Sequence, residues 1–596
     1  VEEEIVAALQ QYAEKASNGR DFRRRLFAED ASRGFSFVDV SGKKYDVVLM
    51  NPPFGEASSR IISYIGSRYP DWSKNLLCSF IARARDVILP VGLVGVIFDR
   101  TASIKSSYEK FRRSSLDHYI ANCADTGWGV LDANVETTVQ TLKAAANDQS
   151  AIFIDVRHIP PENKANGLLS ALKCLNLCEA AKHTYIINPR TFLRLPNAIV
   201  GYYFDELLLM LFAGNRNLTE SGLQARQGDA LVSDEHFRLY WEIGKPSDIG
   251  KGCSYSHLYN GSDFSMFASP HRDVTIYGLN GSLVRTHPSV VLRNPNYQFL
   301  MGIGYGKRGD YLDAHVLPQD AVFTSEGQAI TGIKVENALT GVGFLNSSIA
   351  QYTINQYCGQ HKHCGYINLL PLCLPNKDML CEVVRNVEEV IQLKRRWFSV
   401  DETTLEFRSP FFRSFWNSTD TYLKELLTQV IKRFEGDNKE YRDRIKKNDE
   451  YFEQASKASQ HNLEQVRNHN LKRPTDCVWP DMENDRSGDD HKGFFVKVII
   501  SHLVGFFWGR WDIRFATGER QPPELPDPFD PLPVCPPGML QGPDGLPAKP
   551  EDVPSNYPIR IDWDGILVDD PGHEDDIIRR VQDVLEVIWK DRAEAI

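Results

Sequence analysis

A short apolar run that ends in two prolines constrains the fold of this chain more than any other feature. Residues 45–50, Tyr-Asp-Val-Val-Leu-Met, include β-branched side chains and predict a buried strand. The prolines at 52 and 53 cannot continue a sheet, so residues 51–54 form a rigid loop at the carboxyl end of that strand. In an open α/β sheet, ligands bind at this end of the strands. The sequence therefore predicts a ligand-binding loop in an α/β domain.

The loop offers the groups that a planar heterocycle with an exocyclic amino group requires. The side-chain oxygen of Asn51 and the carbonyl of Pro52 accept hydrogen bonds, and Phe54 supplies an aromatic face. Two acceptors on one amino nitrogen draw it out of conjugation and direct its lone pair at an electrophile. Pro53 stiffens the backbone between them. We therefore expect Asn51, Pro52, Pro53 and Phe54 to be the catalytic residues.

The residues after the loop predict a helix and a further strand. Apolar residues recur at helical spacing over residues 76–85, Leu89-Pro90 ends that helix, and residues 92–98 predict a buried strand. Such units build a doubly wound sheet. The expected fold class is therefore α/β, with a partial Rossmann-like domain at the start of the chain.

The order of these features resembles the second half of an adenine-N6 DNA methyltransferase domain. Residues 51–54 are similar to the Asn/Asp-Pro-Pro-Tyr/Phe motif of amino-methyltransferases that use S-adenosylmethionine. Residues 107–112, 125–131 and 135–141 closely resemble the BREX-type methyltransferase family PglX. The resemblance implies S-adenosylmethionine as cofactor, double-stranded DNA as substrate, and methylation of N6 of a flipped adenine in phage defence.

Part of the cofactor site expected from the resemblance is missing. The family has a Phe-x-Gly-x-Gly-like turn upstream of the Asn-Pro-Pro-Phe motif, and residues 1–50 contain no such turn. Asp46 is the candidate for a cofactor contact. Since the chain starts with Val1 rather than Met, we expect a fragment whose missing amino-terminal portion completes the site. Other phage-exclusion proteins are further candidate partners.

The middle of the chain predicts a target-recognition domain. From about residue 184 to 380 the sequence has short β-like runs with many Gly, Asn, Pro and aromatic residues, and the resemblance assigns this α+β region to DNA recognition. Lys307 and Arg308 are candidates for contacts with phosphate or guanine, with a solvated β-turn as the alternative. His361, Lys362 and His363 are candidates for a second DNA-contacting loop.

Two patterns in this region look functional but are not expected to be sites. Residues 304–309 match the dinucleotide pattern G-x-G-x-x-G, but no convincing helix follows them, so we do not expect a nucleotide loop. Cys358, His361, His363 and Cys364 lie within seven residues, which is too cramped for most tetrahedral zinc sites. We therefore expect no metal.

The expected domains follow from the change in texture along the chain. They are a methyltransferase domain at 1–160, target recognition at 184–380, a helical region at 381–520, a proline-rich tether at 521–558 and an acidic segment at 559–596. Lys394, Arg395 and Arg396 in the helical region are alternative candidates for bracing DNA or a partner. Thirteen prolines in residues 522–558 predict an extended tether.

The charge and hydropathy of the chain are compatible with a DNA-binding protein of the cytoplasm. The net charge of −11 arises from residues 521–596, which hold 17 Asp/Glu and 6 Lys/Arg, so the first 520 residues are balanced. The longest apolar run, residues 494–508, is interrupted by Lys497 and His502, and no signal-peptide pattern is present. We expect no membrane contact.

Two other functions are compatible with the sequence. The chain could be a restriction-modification methyltransferase with fused specificity, although no nuclease constellation is visible. It could also be a non-catalytic DNA-recognition or scaffold subunit that has lost its cofactor loop.

Overall fold

The structure, a computed structural model, divides into two compact units. It describes residues 37–590, with gaps at 74, 119, 133, 145–148, 178, 180, 262, 415–422, 481, 483–490 and 567, and isolated positions before residue 37. Unit 1 is Val1–Phe204 and unit 2 is Asp205–Ile596. The expected domain boundaries stay predictions, and the outer ends of the first and last domains lie outside the described residues.

Unit 1 is built on a six-stranded mixed sheet with the order β1-β2-β4-β3-β5-β6. Its strands are β1 Tyr45–Met50, β2 Ile88–Asp99, β3 Ile120–Gly127, β4 Thr137–Lys143, β5 Ala151–Asp155 and β6 Thr184–Ile187. Strands β1, β2, β3 and β5 run in one direction, and β4 and β6 run in the other. The carboxyl ends of the four parallel strands therefore lie at the same end of the sheet.

Several helices in the described part of unit 1 connect or flank these strands. They are α1 Ile62–Arg68, α2 Leu76–Val87, α3 Glu109–His118 and α4 Lys164–Asn176. Helix α2 buries Leu77, Ile81 and Ala84, which lie at helical spacing, and it packs against β2. It ends before Pro90, and β2 follows at once. The structure thus confirms the strand, helix and strand expected after the loop, and the α/β fold class.

Strand β1 differs from the prediction because it is not buried. It lies at the side edge of the sheet, and among the described residues it pairs with β2 alone. Val47 is 54% exposed and Leu49 is 79% exposed. The prediction of a buried strand was wrong in this respect, since an apolar run cannot show whether a neighbouring strand lies on each side.

Unit 2 begins with two small sheets, which confirms the expected α+β region. Helices α5 Glu206–Gly214 and α6 Ser233–His236 precede or flank them. The strands are β7 Phe237–Leu239, β8 Tyr255–Tyr259, β9 Asp273–Ile276, β10 Gly302–Gly306, β11 His315–Leu317, β12 Ala321–Phe323 and β13 Gly327–Thr331. Their orders are β11-β10-β13 and β12-β8-β9-β7.

The first half of the G-x-G-x-x-G match, residues 304–306, lies in strand β10, which is buried and pairs with a strand on each side. A Cβ on Gly302 would lie 2.0 Å from the carbonyl oxygen of Ile330, and one on Gly304 would lie 2.8 Å from the ring of Tyr259. These glycines allow close packing between strands. The structure therefore agrees that this match is not a nucleotide loop.

The rest of unit 2 is mostly helical, as expected. The helices are α7 Val335–Leu345, α8 Ser348–Tyr357, α9 Cys364–Ile367, α10 Lys377–Phe398, α11 Phe411–Ser414, α12 Leu423–Ser456, α13 Gln460–Asn470, α14 His491–Phe507, α15 Ile513–Thr517 and α16 Ile577–Trp589. Helix α10 packs against α7 and α12. None of the helices in the described part of the chain is both long and apolar enough to cross a membrane.

Two basic residues considered as bracing groups are buried in α10. Lys394 is fully buried, and its Nζ donates to Ser265 Oγ at 2.7 Å and to both carboxylate oxygens of Asp476 at 2.9 Å. Arg395 is 5% exposed and lies 3.7 Å from Glu406. Both are internal ion-pair residues, so they do not form a surface for DNA or a partner.

The proline-rich segment packs against the rest of unit 2. Among residues 521–558, regular structure is limited to a 3-10 turn at Pro550–Asp552. Phe529 and Leu540 are nevertheless buried, and the carbonyl of Phe529 accepts a hydrogen bond from the Gln319 amide at 2.9 Å. The segment is anchored to unit 2 and contains several turns, among them Asp527–Asp530 and Gly542–Gly545, so it does not have the form of a free tether.

Candidate active site

The Asn-Pro-Pro-Phe loop lies at the carboxyl end of β1 and is open to a ligand. Strand β1 pairs with β2 up to Met50, which lies opposite Val96, and the loop begins at the next residue. Asn51 is exposed, Pro52 is buried and Phe54 is partly buried. The buried proline fixes the loop on the unit, while the amide and the aromatic ring remain accessible. This arrangement suits the binding of a planar group.

The downstream end of the loop is attached to the start of α2. The amide of Gly55 donates to Asn75 Oδ1 at 3.1 Å, and the carbonyl of Gly55 accepts from the Leu76 amide at 2.8 Å. Asn75 also caps α2, because its Oδ1 accepts from the Leu77 amide at 3.1 Å. The loop is thus held at one end by the sheet and at the other by a helix.

A buried ionic network lies where β2 ends and β3 approaches its own end. Arg100 Nε donates to both carboxylate oxygens of Asp125 at 2.9 and 2.7 Å, and its other nitrogens lie 3.3 Å from Glu136 and from the Tyr203 hydroxyl. Burial opposes the charge of Arg100, but the attraction of Asp125 outweighs it and raises the pKa above its usual value. The network connects the residue after β2 with β3 through buried charged contacts.

The loop after β3 presents a tryptophan that the sequence analysis did not select as a site residue. Trp128 is 49% exposed, and it stands between Gly127 and Gly129, which have φ values of +62° and +77°. The buried Lys164 donates through Nζ to the carbonyls of Thr126 and Trp128, the latter at 2.8 Å. In the sequence, the glycine on each side of Trp128 could have indicated an aromatic residue presented on a turn.

The position of Asp46 bears on how S-adenosylmethionine could bind. Asp46, the candidate cofactor contact, is the second residue of β1, so about 16 Å of strand separates it from Asn51. Asp46 therefore lies near the opposite end of the strand from the loop. The contact between Asp46 and the cofactor therefore stays a prediction, which this length of strand does not favour.

The structure brings together the two stretches that were predicted separately as DNA contacts in unit 2. The amide of Gly309 donates to the carbonyl of Gln360 at 3.0 Å, and the amide of Lys362 donates to the carbonyl of Lys307 at 2.6 Å. Arg308 is 73% exposed and His361 is exposed beside it. These two side chains form an outward-facing pair.

The other candidates in these stretches have structural partners. Lys307 Nζ lies 2.9 Å from Glu326 Oε1, and Lys307 is 19% exposed. His363 Nδ1 accepts from the Gly365 amide at 3.2 Å and so caps α9. Lys362 is 1% exposed, with its Nζ donating to Asn355 and to the Gly359 carbonyl, so its assignment as a surface DNA contact was wrong.

Unit 2 also contains a cation–π pair, and the described residues lack a metal-binding cluster. Arg226 stacks over the ring of Tyr297, with 3.4 Å between the guanidinium carbon and the ring centroid, a pair that the sequence analysis did not select. Among the residues that the structure describes, no group of three His, Cys, Asp or Glu could hold a metal ion.

Comparisons with known proteins give weak similarities. No protein-family model and no curated protein matches the sequence significantly. Three of the similar solved structures are the Type IIL restriction-modification enzyme MmeI in complex with DNA, a nuclease-deletion mutant of the Type ISP enzyme LlaGI with a DNA substrate mimic, and a modification subunit of a putative type I restriction enzyme from Vibrio vulnificus YJ016.

The degree of these similarities is low in each case. For MmeI the identity is 10% and the TM-score 0.41, over 71% of this chain and 57% of that one. For LlaGI the identity is 10% and the TM-score 0.40, over 63% of this chain and 37% of that one. For the Vibrio subunit the identity is 12% and the TM-score 0.23, over 26% of this chain and 36% of that one. The chain thus spans little more than half of MmeI and about a third of the others. These similarities therefore do not assign a function to this chain.

Proposed function

We propose that this protein is a site-specific DNA methyltransferase that transfers a methyl group from S-adenosylmethionine to N6 of a flipped adenine. The observation that carries the proposal is the Asn-Pro-Pro-Phe loop, which stands at the carboxyl end of the sheet with Asn51 exposed and Phe54 partly exposed. A base inside a duplex cannot reach such a loop, so the enzyme must extrude it.

The residues of the loop act on the adenine by binding and orientation. Asn51 Oδ1 and the carbonyl of Pro52 each accept a hydrogen bond from one N–H of the amino group, and Phe54 stacks on the ring. Both acceptors act on the same nitrogen, so they favour the pyramidal form that reacts and stabilise the transition state more than the ground state. S-adenosylmethionine supplies the electrophilic methyl group when it is bound. Positioning therefore supplies most of the rate acceleration.

A substitution at Asn51 tests this proposal. Asn51→Ala removes one of the two acceptors, and we expect N6-methyladenine formation to be abolished in the complete enzyme. Asn376→Ala is a suitable control, because Asn376 caps the exposed start of α10 in unit 2. Undiminished methylation by Asn51→Ala, measured by mass spectrometry of digested DNA, would contradict the assignment.

We propose that a further α/β segment binds the cofactor and completes the site. The support for this is strand β1, whose outer edge is unpaired among the described residues and whose apolar Val47 and Leu49 side chains are exposed. A parallel strand added there would place its own carboxyl end beside the loop. Another part of the polypeptide or a partner protein would supply it.

The biological setting that we propose is a phage-exclusion system of the BREX type, in the cytoplasm. The support is the similarity of residues 107–112, 125–131 and 135–141 to the PglX family. Long-read sequencing of host DNA with and without the gene tests the setting and the modified base together. If the gene leaves no N6-methyladenine at a defined sequence, the proposal fails.

A non-catalytic recognition subunit is the second candidate function. The observation in its favour is that residues 1–50 lack the Phe-x-Gly-x-Gly-like turn expected of the family. Isothermal titration with S-adenosylmethionine distinguishes the two functions. Binding that appears only when an upstream or partner segment is added supports the enzyme, whereas no binding under any complementation supports the subunit.

A further inference from the structure

We propose that Asn75 is a positioning residue for the ring of Phe54, acting through Gly55. This inference rests on the proposed function, because it assigns Asn75 to the same site. Asn75 lies twenty residues beyond Gly55, at the start of α2, and it belongs to none of the motifs that point to methyl transfer. Its side-chain oxygen nevertheless accepts a hydrogen bond from Gly55, the residue that follows the loop.

Gly55 is the point at which the loop is fixed after Phe54. Both of its backbone polar groups are engaged, the amide with Asn75 Oδ1 at 3.1 Å and the carbonyl with the Leu76 amide at 2.8 Å. Its φ is +122°, a conformation that residues with a side chain rarely adopt, although no atom lies within 4 Å of the position of a Cβ. The backbone conformation, not the available space, therefore requires glycine here.

Asn75 is itself held by three hydrogen bonds. Its Oδ1 accepts from Gly55 and from the Leu77 amide, and its Nδ2 donates to the Tyr108 hydroxyl at 2.9 Å. Tyr108 is 8% exposed, and burial raises its pKa to about 12, so the hydroxyl stays protonated at neutral pH. The amide group therefore has a single orientation, with its oxygen toward Gly55.

The consequence falls on Phe54, which is bonded directly to Gly55. The backbone before the loop is fixed by the pairing of Met50 with β2, and the backbone after it is fixed by Asn75. With both ends held, the Cα–Cβ bond of Phe54 has one direction. The ring that is proposed to stack on the base is thus preorganised before the base arrives.

Hydrogen exchange in the full chain tests this role without any assay of activity. We expect Asn75→Ala to increase exchange of the Gly55 amide about tenfold, since the hydrogen bond from this amide to the Asn75 side chain is lost. Asn75→Asp keeps both acceptor contacts and should preserve the protection. Asn376→Ala removes a matched helix cap in α10 and should leave Gly55 unaffected. Unchanged exchange at Gly55 in Asn75→Ala would overturn the proposal.

A double variant tests whether Tyr108 acts through Asn75. Tyr108→Phe frees the amide and should give a smaller increase in exchange at Gly55 than Asn75→Ala. The double variant should exchange no faster than Asn75→Ala alone, because both changes act on the same contact. Additive increases would mean that Tyr108 stabilises the loop by another route, and the three-bond arrangement would be wrong.

Fluorescence of DNA with 2-aminopurine at the target position provides a readout of the ring itself. In the complete enzyme, stacking on Phe54 quenches the extruded base, so Asn75→Ala should raise its emission while DNA affinity is unchanged, and Asn75→Asp should restore the quenching. Equal emission from all three proteins would refute the role of Asn75. If the wild-type enzyme failed to methylate adenine, the proposed function would fall, while hydrogen exchange would still decide whether Asn75 orders the loop.

Discussion

At the scale of single residues, Glu326 determines how much of the basic pair at 307–308 is available to DNA. Its two carboxylate oxygens lie 2.9 Å from Lys307 Nζ and 2.6 Å from Arg308 Nε. Burial raises the pKa of Glu326, but the hydrogen bonds from the two cations outweigh this and the pKa lies below its usual value. Glu326 is therefore ionised at neutral pH and offsets one of the two positive charges.

The exposed member of that pair should carry the larger share of DNA binding. We expect Arg308→Ala to lower the affinity for duplex DNA and to reduce the slope of log affinity against log salt by about one. Lys362→Met is the matched control, because Lys362 is a buried cation of the adjacent stretch. It should lower stability and leave the salt slope unchanged. Fluorescence anisotropy over a salt series measures both.

The loop that we propose to be catalytic could be selected from the sequence because its chemistry lies in four consecutive residues. Asn51, Pro52 and Phe54 carry their acceptors and aromatic face wherever the chain places them. Asn75 and Lys362 could not be assigned in the same way, since one acts through a contact twenty residues away and the other is basic in composition but buried in the structure. Burial and long-range contacts depend on packing.

At the scale of elements, the proposed assembly with a cofactor-binding segment depends on the exposed side of β1. The strand has the apolar composition of a central strand but the exposure of an edge strand, and Leu49 is 79% exposed. An unpaired apolar edge invites the addition of a strand. Whether an apolar strand lies in the middle or at the edge of a sheet depends on the strands beside it. The position of β1 therefore could not be predicted from residues 45–50 alone.

A charge placed on β1 should separate folding from assembly. We expect Leu49→Lys to leave the melting temperature of this chain nearly unchanged and to abolish association with the cofactor-binding segment. Ile186→Lys is the matched control, because Ile186 is 65% exposed on β6 at the opposite edge of the same sheet. Co-purification and isothermal titration measure association. Equal binding by both variants would show that β1 is not the docking strand.

The turn between β10 and β11 should make the stability of unit 2 depend on pH. Asp313 is buried, with its Oδ1 accepting from the Gly306 amide at 2.8 Å, and burial raises its pKa to about 6. The pKa in the unfolded chain is about 3.9. Because the folded value is higher, ionisation of Asp313 costs stability progressively between about pH 4 and 6, and the cost is constant above that range.

Asp313→Asn should therefore become more stable relative to the wild type as the pH rises. The asparagine side chain keeps an oxygen that accepts from the Gly306 amide, and the substitution removes the buried charge. We expect no advantage near pH 4 and an advantage of up to about 3 kcal/mol above pH 6. Urea unfolding at several pH values measures the difference. An advantage that fell with increasing pH would show that the carboxylate is favoured in the folded protein.

At the scale of the whole molecule, the negative charge is concentrated at the end of the chain. Residues 521–596 account for the net charge of −11, and they are part of unit 2, which also contains the candidate DNA contacts. Composition could predict this asymmetry. It could not predict that the segment is packed, with Phe529, Leu540 and Trp589 buried. Deleting it would therefore remove part of the core together with the charge.

Charge neutralisation separates these two effects. Asp569, Glu574 and Glu586 are exposed, so a triple change to Asn, Gln and Gln should cost little stability. We expect it to raise the affinity for duplex DNA a few-fold at low salt, with the gain disappearing as the Debye length shortens. Removal of residues 521–596 should instead broaden and lower the thermal transition. A triple variant with unchanged affinity at low salt would mean that the acidic segment does not influence DNA binding electrostatically.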